Sequence, residues 1–223
     1  MDIRIEVTPS QNITLVYDAL DLQALDRNAL RQVVEGTTPP VIMDTPEMIV
    51  MVYPDRHLFV QIGDRRIRIT LQQAEVVGNV PLWDYGVKFN GLVSQDRSRL
   101  IAYGYNYDVI VHVPDVDSTT RLVELFVPDR LRLEESLDGK LVSLTPRLVF
   151  ERAQIRYDLV LEPSDKNQIK AHFNAHFERE GITLPSALEV RASFLEEYQR
   201  LGVTLTRLLG ESRRKDAKQH LPR

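Results

Sequence analysis

The sequence predicts an α+β fold, built on a largely antiparallel, strongly twisted sheet with a helical layer formed by one N-terminal and two C-terminal helices. Three observations carry that expectation. Residues 101–113 alternate regularly: Ile101, Tyr103, Tyr105, Tyr107, Val109, Val111 and Val113 take one face, and Ala102, Gly104, Asn106, Asp108, Ile110 and His112 the other. That is the period of a long strand with one apolar and one mixed face. Shorter alternating or apolar runs, punctuated by Gly and Pro, lie on either side. The order is strands, one helix, many strands, then two helices, which is not the βαβ alternation of a parallel doubly wound sheet.

In chain order, Ile3, Ile5 and Val7 alternate with Asp2, Arg4 and Glu6 in a half-buried strand that Pro9-Ser10 breaks. A second short strand covers residues 13–17. Residues 21–35 carry Leu22, Leu25, Leu30 and Val33 at helical spacing, with Gly36 as the stop. The unbroken apolar run Met48–Tyr53 suits a strand buried on both faces. Residues 57–62 and 65–71 flank Gly63-Asp64, a hairpin with a type II′ turn. Residues 72–100 lack periodicity, with a short strand expected at 87–93. Residues 118–127 read as helix or strand, and Asp138-Gly139 as a hairpin turn. Residues 149–161 alternate as a second long strand.

Two helices should end the fold. One is expected over 164–181, with Ile169, Phe173 and Phe177 at i, i+4, i+8. The other follows Leu184-Pro185, opens on a Ser186/Glu189 capping box and stops at Leu209-Gly210. Its Phe194, Tyr198, Leu201, Leu205 and Leu208 form a short heptad-like seam. The seam serves either a homodimer or the sheet of its own chain, and the second use is favoured.

The 223 residues, 43% hydrophobic and 27% charged, are enough to bury a core without staples. A single domain is expected over 1–210, organised in one piece or as two similar halves, about 1–98 and 99–210, followed by a polar basic tail at 211–223. No residue-level repeat marks the halves. The absence of cysteine removes disulfides, thiolate catalysis and Cys-based zinc sites. Met1-Asp2-Ile3-Arg4 has an early acid and no apolar h-region, so no signal peptide is expected. No stretch approaches the roughly 18 apolar residues of a membrane span. A cytoplasmic protein without a membrane partner is therefore expected. The net charge of −4 counts against nucleic acid as a general partner.

Four groups of residues carry chemistry. Asp115-Val116-Asp117-Ser118-Thr119 reads D-x-D-x-T after a strand and resembles the nucleophile motif of the haloacid dehalogenase superfamily of phosphotransferases. Over these five residues the resemblance implies that Asp115 attacks phosphorus, Asp117 acts as acid and base, and Mg²⁺ neutralises the phosphate. That family places its motif early, at the end of a central parallel strand, whereas here it lies mid-chain behind Pro114. The favoured reading is an acidic turn in which Asp117 or Ser118 caps a helix.

His172 and His176, at i, i+4 on the helix expected over 164–181, are candidate metal ligands, with Glu180 or His112 as a third. Core-edge histidines are the commoner outcome of that pattern. Arg65, Arg66 and Arg68, with Arg213, Arg214, Lys215 and Lys218 of the tail, are a candidate nucleic-acid surface. A solvated face is the alternative. Tyr103, Tyr105, Asn106, Asp108 and His112 are candidate ligand-binding residues, the tyrosines as core or pocket wall and the others on the opposite, more polar face.

No P-loop, G-x-G-x-x-G or G-x-S-x-G occurs. No catalytic residue and no cofactor are assigned. The function expected is a non-catalytic binding or protein-interaction module, with a protein or small molecule as its partner. The alternatives are a metal-dependent phosphohydrolase using Asp115/Asp117 and a nucleic-acid-binding module using the arginines.

Overall fold

The computed structural model describes residues 3–35, 38–74, 77–93, 98–114, 116–178 and 181–210. Nine strands form one antiparallel sheet that does not close. They are β1 (Arg4–Tyr17), β2 (Val41–Asp44), β3 (Met48–Tyr53), β4 (Leu58–Gly63), β5 (Arg66–Ala74), β6 (Leu100–His112), β7 (Arg147–Arg152), β8 (Ile155–Asp165) and β9 (Gln168–Glu178). The helices are α1 (Arg27–Gln32), α2 (Leu82–Val93), α3 (Ser118–Phe126), α4 (Arg130–Leu137) and α5 (Ala187–Gly210). Across the sheet the strand order is β2-β3-β4-β5-β1-β6-β9-β8-β7. The last strand of each meander, β5 or β9, returns to pair with the strand that opened its part of the chain, β1 or β6. The ladder between β1 and β6 joins the two parts. No helix among the described residues is long and apolar enough to cross a membrane.

α2, α3 and α5 pack on one face of the sheet, with α1 against α2. Ile13, Leu15, Ile67, Ile69, Tyr105, Tyr107, Leu159 and Phe173 point into it and are fully buried. Gly86 of α2 rests on Ile13, where a Cβ would make ordinary contact at 3.6 Å. Phe194 of α5 meets Tyr105 and Tyr107 with ring centroids 5.3 and 4.9 Å apart. The Tyr107 hydroxyl donates to the Phe194 carbonyl at 2.6 Å. The α5 seam thus packs on its own sheet: Val190, Phe194, Leu201, Leu205 and Leu209 are buried there. A homodimer through those side chains requires the helix to leave its sheet.

Several expectations need correction. β1 is one strand, because Thr8-Pro9 sits in a bulge where the register with β6 slips, accommodating the missing N–H of proline. The helix expected over 21–35 is a 3-10 turn at Leu22–Ala24 followed by α1. Asp21 and Asp26 each cap one piece with a side-chain carboxylate, which favours two starts over one continuous helix. The β4–β5 turn centres on Asp64-Arg65, at φ 47 and 58, so it follows the type I′ pattern one residue beyond the expected position. Gly63 ends β4 instead, where a Cβ would come within 2.7 Å of the Glu47 carbonyl. The strand expected at 87–93 belongs to α2, whose glycines had masked the helical period. Asp138 is the left-handed C-cap of α4, not a hairpin turn.

The run 149–161 is the hairpin β7–β8, turned at Ala153-Gln154 with φ 50 and 65 and no glycine to mark it. Most consequential, the helix expected over 164–181 contains the strand β9. Ile169, Phe173 and Phe177 share a strand face as well as a helix face, because a spacing of four is also a multiple of two. Ala171 and Ala175, buried between them, complete the strand period. Gly36, Asp115, Glu180 and the tail 211–223, with Arg213, Arg214, Lys215 and Lys218, lie outside the described residues.

Candidate ligand-binding face

Strand alternation sends every second side chain to the face without helices, and the register aligns these into rows across the sheet. One row runs Thr70, Asn12, Asn106, Asn174 and Asp158 across β5, β1, β6, β9 and β8. The next runs Arg68, Thr14, Gly104, His176 and Arg156, and beyond it lie Arg66, Val16, Ala102 and Glu178. On the other side of the asparagines run Gln72, Ser10, Asp108, His172 and Val160.

Gly104 sits in the centre of this face with no side chain to fill its place. A Cβ there would come 3.0 Å from the Ala175 carbonyl and 3.2 Å from Asn174 Oδ1, so glycine keeps both the strand pairing and the opening. The result is a cleft of about 330 Å³ lined by Thr14, Arg66, Arg68, Asn106, Asn174 and His176, among others. Much of its wall is internally satisfied. Asn106 Nδ2 donates to Asn12 Oδ1 at 2.8 Å, and Thr14 Oγ1 donates to the same oxygen at 3.1 Å. His176 Nε2 lies 3.1 Å from Glu178 Oε2. Two features are unsatisfied. Asn174 Oδ1 is buried without a hydrogen-bond partner. Arg66 and Arg68 are exposed, and among the described residues neither side chain has an ion pair or hydrogen bond.

The sequence-derived candidates divide between the faces. Tyr103 and Tyr105 are on the helical side: Tyr103 stacks on Phe177 at 4.7 Å, and Tyr105 packs between Phe177 and Phe194. Burial pushes the Tyr105 phenol well above its ordinary pKa. Neither ring reaches the cleft, and neither is placed to stack a base. Asn106, Asp108 and His112 do face the open side. Asp108 and His112 do not converge on one group, however: His112 Nδ1 lies 3.5 Å from Glu6, while Asp108 accepts from His172 Nδ1 at 2.8 Å.

His172, and more weakly the nearby Ser10 hydroxyl, hold the Asp108 carboxyl below the ordinary range. Ser10 and His172 stand on strands either side of Asp108, about 9–10 Å apart across two strand spacings. The imidazole is therefore not between hydroxyl and carboxylate, as a Ser-His-Asp relay requires.

His172 and His176 point to the open face, but an i, i+4 pair on a strand is separated by about 13 Å, twice the two-residue repeat. A helix would bring them within one coordination sphere; this strand does not. Among the described residues no three His, Asp or Glu side chains gather as a metal site. Asp117 caps α3, its carboxylate accepting the Thr120 N–H at 3.0 Å. The strand before it, β6, is antiparallel to both neighbours. Of the arginines, Arg65 lies in the turn, while Arg66 and Arg68 border the cleft. Thr14, Asn12, Asn174 and Gly104 are not among the site candidates that the sequence offers. Reading 168–178 as a strand puts Asn174 between His172 and His176 on one face, which is the signal that points to it.

No protein-family model matches this chain, and no curated protein matches it.

Proposed function

We propose that the chain is a binding module whose open sheet face takes an anionic group, a carboxylate or phosphate, in the cleft over Gly104. The observation that carries this reading is the pair Arg66 and Arg68. Two guanidiniums rise from one strand face, unpaired, at the rim of a cleft whose other polar groups mostly bond one another. Guanidinium forks suit planar or tetrahedral oxyanions, and an exposed arginine pair without acidic partners is open to such a ligand. A volume near 330 Å³ lies at the lower end of small-molecule sites, so the cleft suits a small anion or one acidic group of a larger partner.

The test is a titration with inorganic phosphate and, separately, citrate, followed through the arginine Nε–Hε resonances. The Arg66 and Arg68 signals should shift together and saturate. The Arg66→Ala/Arg68→Ala variant should lose about tenfold or more of the affinity. Absence of any saturable shift up to about 10 mM, an affinity already weaker than most small-ligand sites, overturns the proposal.

A further inference from the structure

The open face continues beyond the arginines into an apolar half. Val50 and Met43 extend the row of Arg68 through Gln61, and Phe59, Val52 and Val41 extend the row of Thr70. Met43 and Val41 are 53% and 66% exposed on the edge strand. Val50, Val52 and Phe59 are half-buried, and among the described residues they are not part of the core that the helices cover. This corrects the expectation for Met48–Tyr53. Its run is unbroken because Ile49, Met51 and Tyr53 face the core while Met48, Val50 and Val52 face outward. Contiguous apolar side chains on an open sheet face mark an interaction surface.

Resting on the reading of the arginine cleft given above, we infer that this face docks an acidic amphipathic helix of a protein partner. Its apolar stripe lies on Val50, Val52 and Phe59, and its carboxylates on Arg66 and Arg68. The charges select the partner's sign: the only charges on β5 beside the apolar half are those two unpaired cations. Geometry agrees. Strands are about 4.8 Å apart, so a helix about 10–12 Å wide lying along β3 and β4 sets its flank over β5. Arg66 and Arg68 are two residues apart on one strand, about 6.7 Å. Acids at i, i+3 or i, i+4 on a helix are about 5–6 Å apart, within side-chain reach of that pair. A helix on this side also gives the sheet a second covering layer, the usual resolution of an exposed apolar sheet face.

The probe is a synthetic helical peptide of about five turns, with a leucine stripe flanked on one side by glutamates at i, i+4 spacing. A second peptide carries lysine at the glutamate positions. Binding to the full chain is read by fluorescence anisotropy beside the phosphate titration. The glutamate peptide should bind about tenfold or more tightly than the lysine peptide. Arg68→Glu should reverse that order. Phe59→Ser and, separately, Val50→Thr should weaken the peptide about tenfold while leaving phosphate binding unchanged. Circular dichroism confirms that each variant is folded, and Val50→Thr serves if Phe59→Ser is not.

Equal binding of the two peptides, or peptide binding indifferent to both apolar substitutions, overturns the inference. So does a single-stranded oligonucleotide that outcompetes the glutamate peptide. Self-association of the chain alone that Phe59→Ser abolishes assigns the face to a second copy and overturns it equally. Phosphate that binds while no peptide does leaves the arginine cleft standing and removes the helix. No saturable phosphate binding while the glutamate peptide still binds through Arg66 and Arg68 removes the small-anion reading of the cleft instead, and peptide binding indifferent to the arginines overturns the inference.

Discussion

Asp108 and His172 face each other in register across β6 and β9, with the Nδ1–H of the imidazole donating to the carboxylate at 2.8 Å. The folded state holds the Asp108 carboxyl below its ordinary pKa, mainly through this bond. A carboxyl depressed on folding contributes stability above its unfolded pKa, about 3.9, and that contribution is lost as pH falls through the folded value. Asp108→Asn should therefore lower stability near pH 7 by about 1 kcal/mol, a modest figure because the pair is partly solvated. The deficit should shrink as pH falls below about 4. Denaturant melts at several pH values check this, and a deficit that does not change with pH would refute the assignment.

Arg121 holds the end of α5. Its Nε donates to the Leu209 carbonyl at 2.9 Å, Nη2 donates to the same oxygen, and the side chain is 4% exposed. A cation on the last carbonyls of a helix satisfies an orphan acceptor and opposes the negative end of the helix dipole. Arg121→Ala should cost about 2–4 kcal/mol, through the lost charged hydrogen bonds and the void. Hydrogen exchange should speed up in the last turn of α5 before elsewhere. Unchanged protection at residues 205–210 would show that the helix end is held by other contacts.

How much of this was legible in the sequence depends on what each signal could distinguish. The strand at 101–113 was readable because seven successive apolar residues kept one parity. The strand β9 was not, because Ile169, Phe173 and Phe177 satisfy both periods and the small Ala171 and Ala175 carry little weight. The β7–β8 turn was hidden because Ala153 and Gln154 are not turn formers, and only the packed sheet holds them at positive φ. For the candidate site, Arg66, Arg68, Asn106 and His176 were each noticed, but as parts of three unrelated ideas. Their juxtaposition is a matter of register between β5, β1, β6 and β9, which no local pattern encodes.

The Ala153-Gln154 turn offers a gain of stability. Both residues have positive φ, which costs an L side chain energy that Asn or Gly largely avoids. Ala153→Asn combined with Gln154→Gly should raise stability by about 0.5–1 kcal/mol. Thermal unfolding is the check, and a fall in midpoint would mean that the Gln154 side chain contributes more than its backbone strain removes.

Glu197 should act in the opposite sense to Asp108. It is buried on the sheet side of α5, 3.3 Å from the Tyr157 hydroxyl and 3.5 Å from Arg200 Nε, and burial raises its pKa. A carboxyl raised on folding keeps its proton longer in the folded state, so the fold loses stability as pH climbs from the unfolded value, about 4.3, through the folded one. Glu197→Gln keeps the shape and removes the charge, while Arg200 retains Glu196 at 2.7 Å. The variant should match the parent at low pH and exceed it progressively above about pH 5. A constant difference at every pH would exclude the carboxyl as its source.

The position of β1 bears on the order in which the chain is made. It is made before the other eight strands of the sheet and ends up at the middle, between β5 and β6. Ile13, Leu15 and Tyr17, all fully buried in the finished protein, must wait for residues 66–74 before they gain a strand partner. Closing so long a loop is slow, and apolar segments kept waiting are the ones that pair with the wrong neighbour. During synthesis β1 is thus most exposed to misassembly until residues 66–74 follow it, and the hairpin of β4 and β5 is the template that ends that interval.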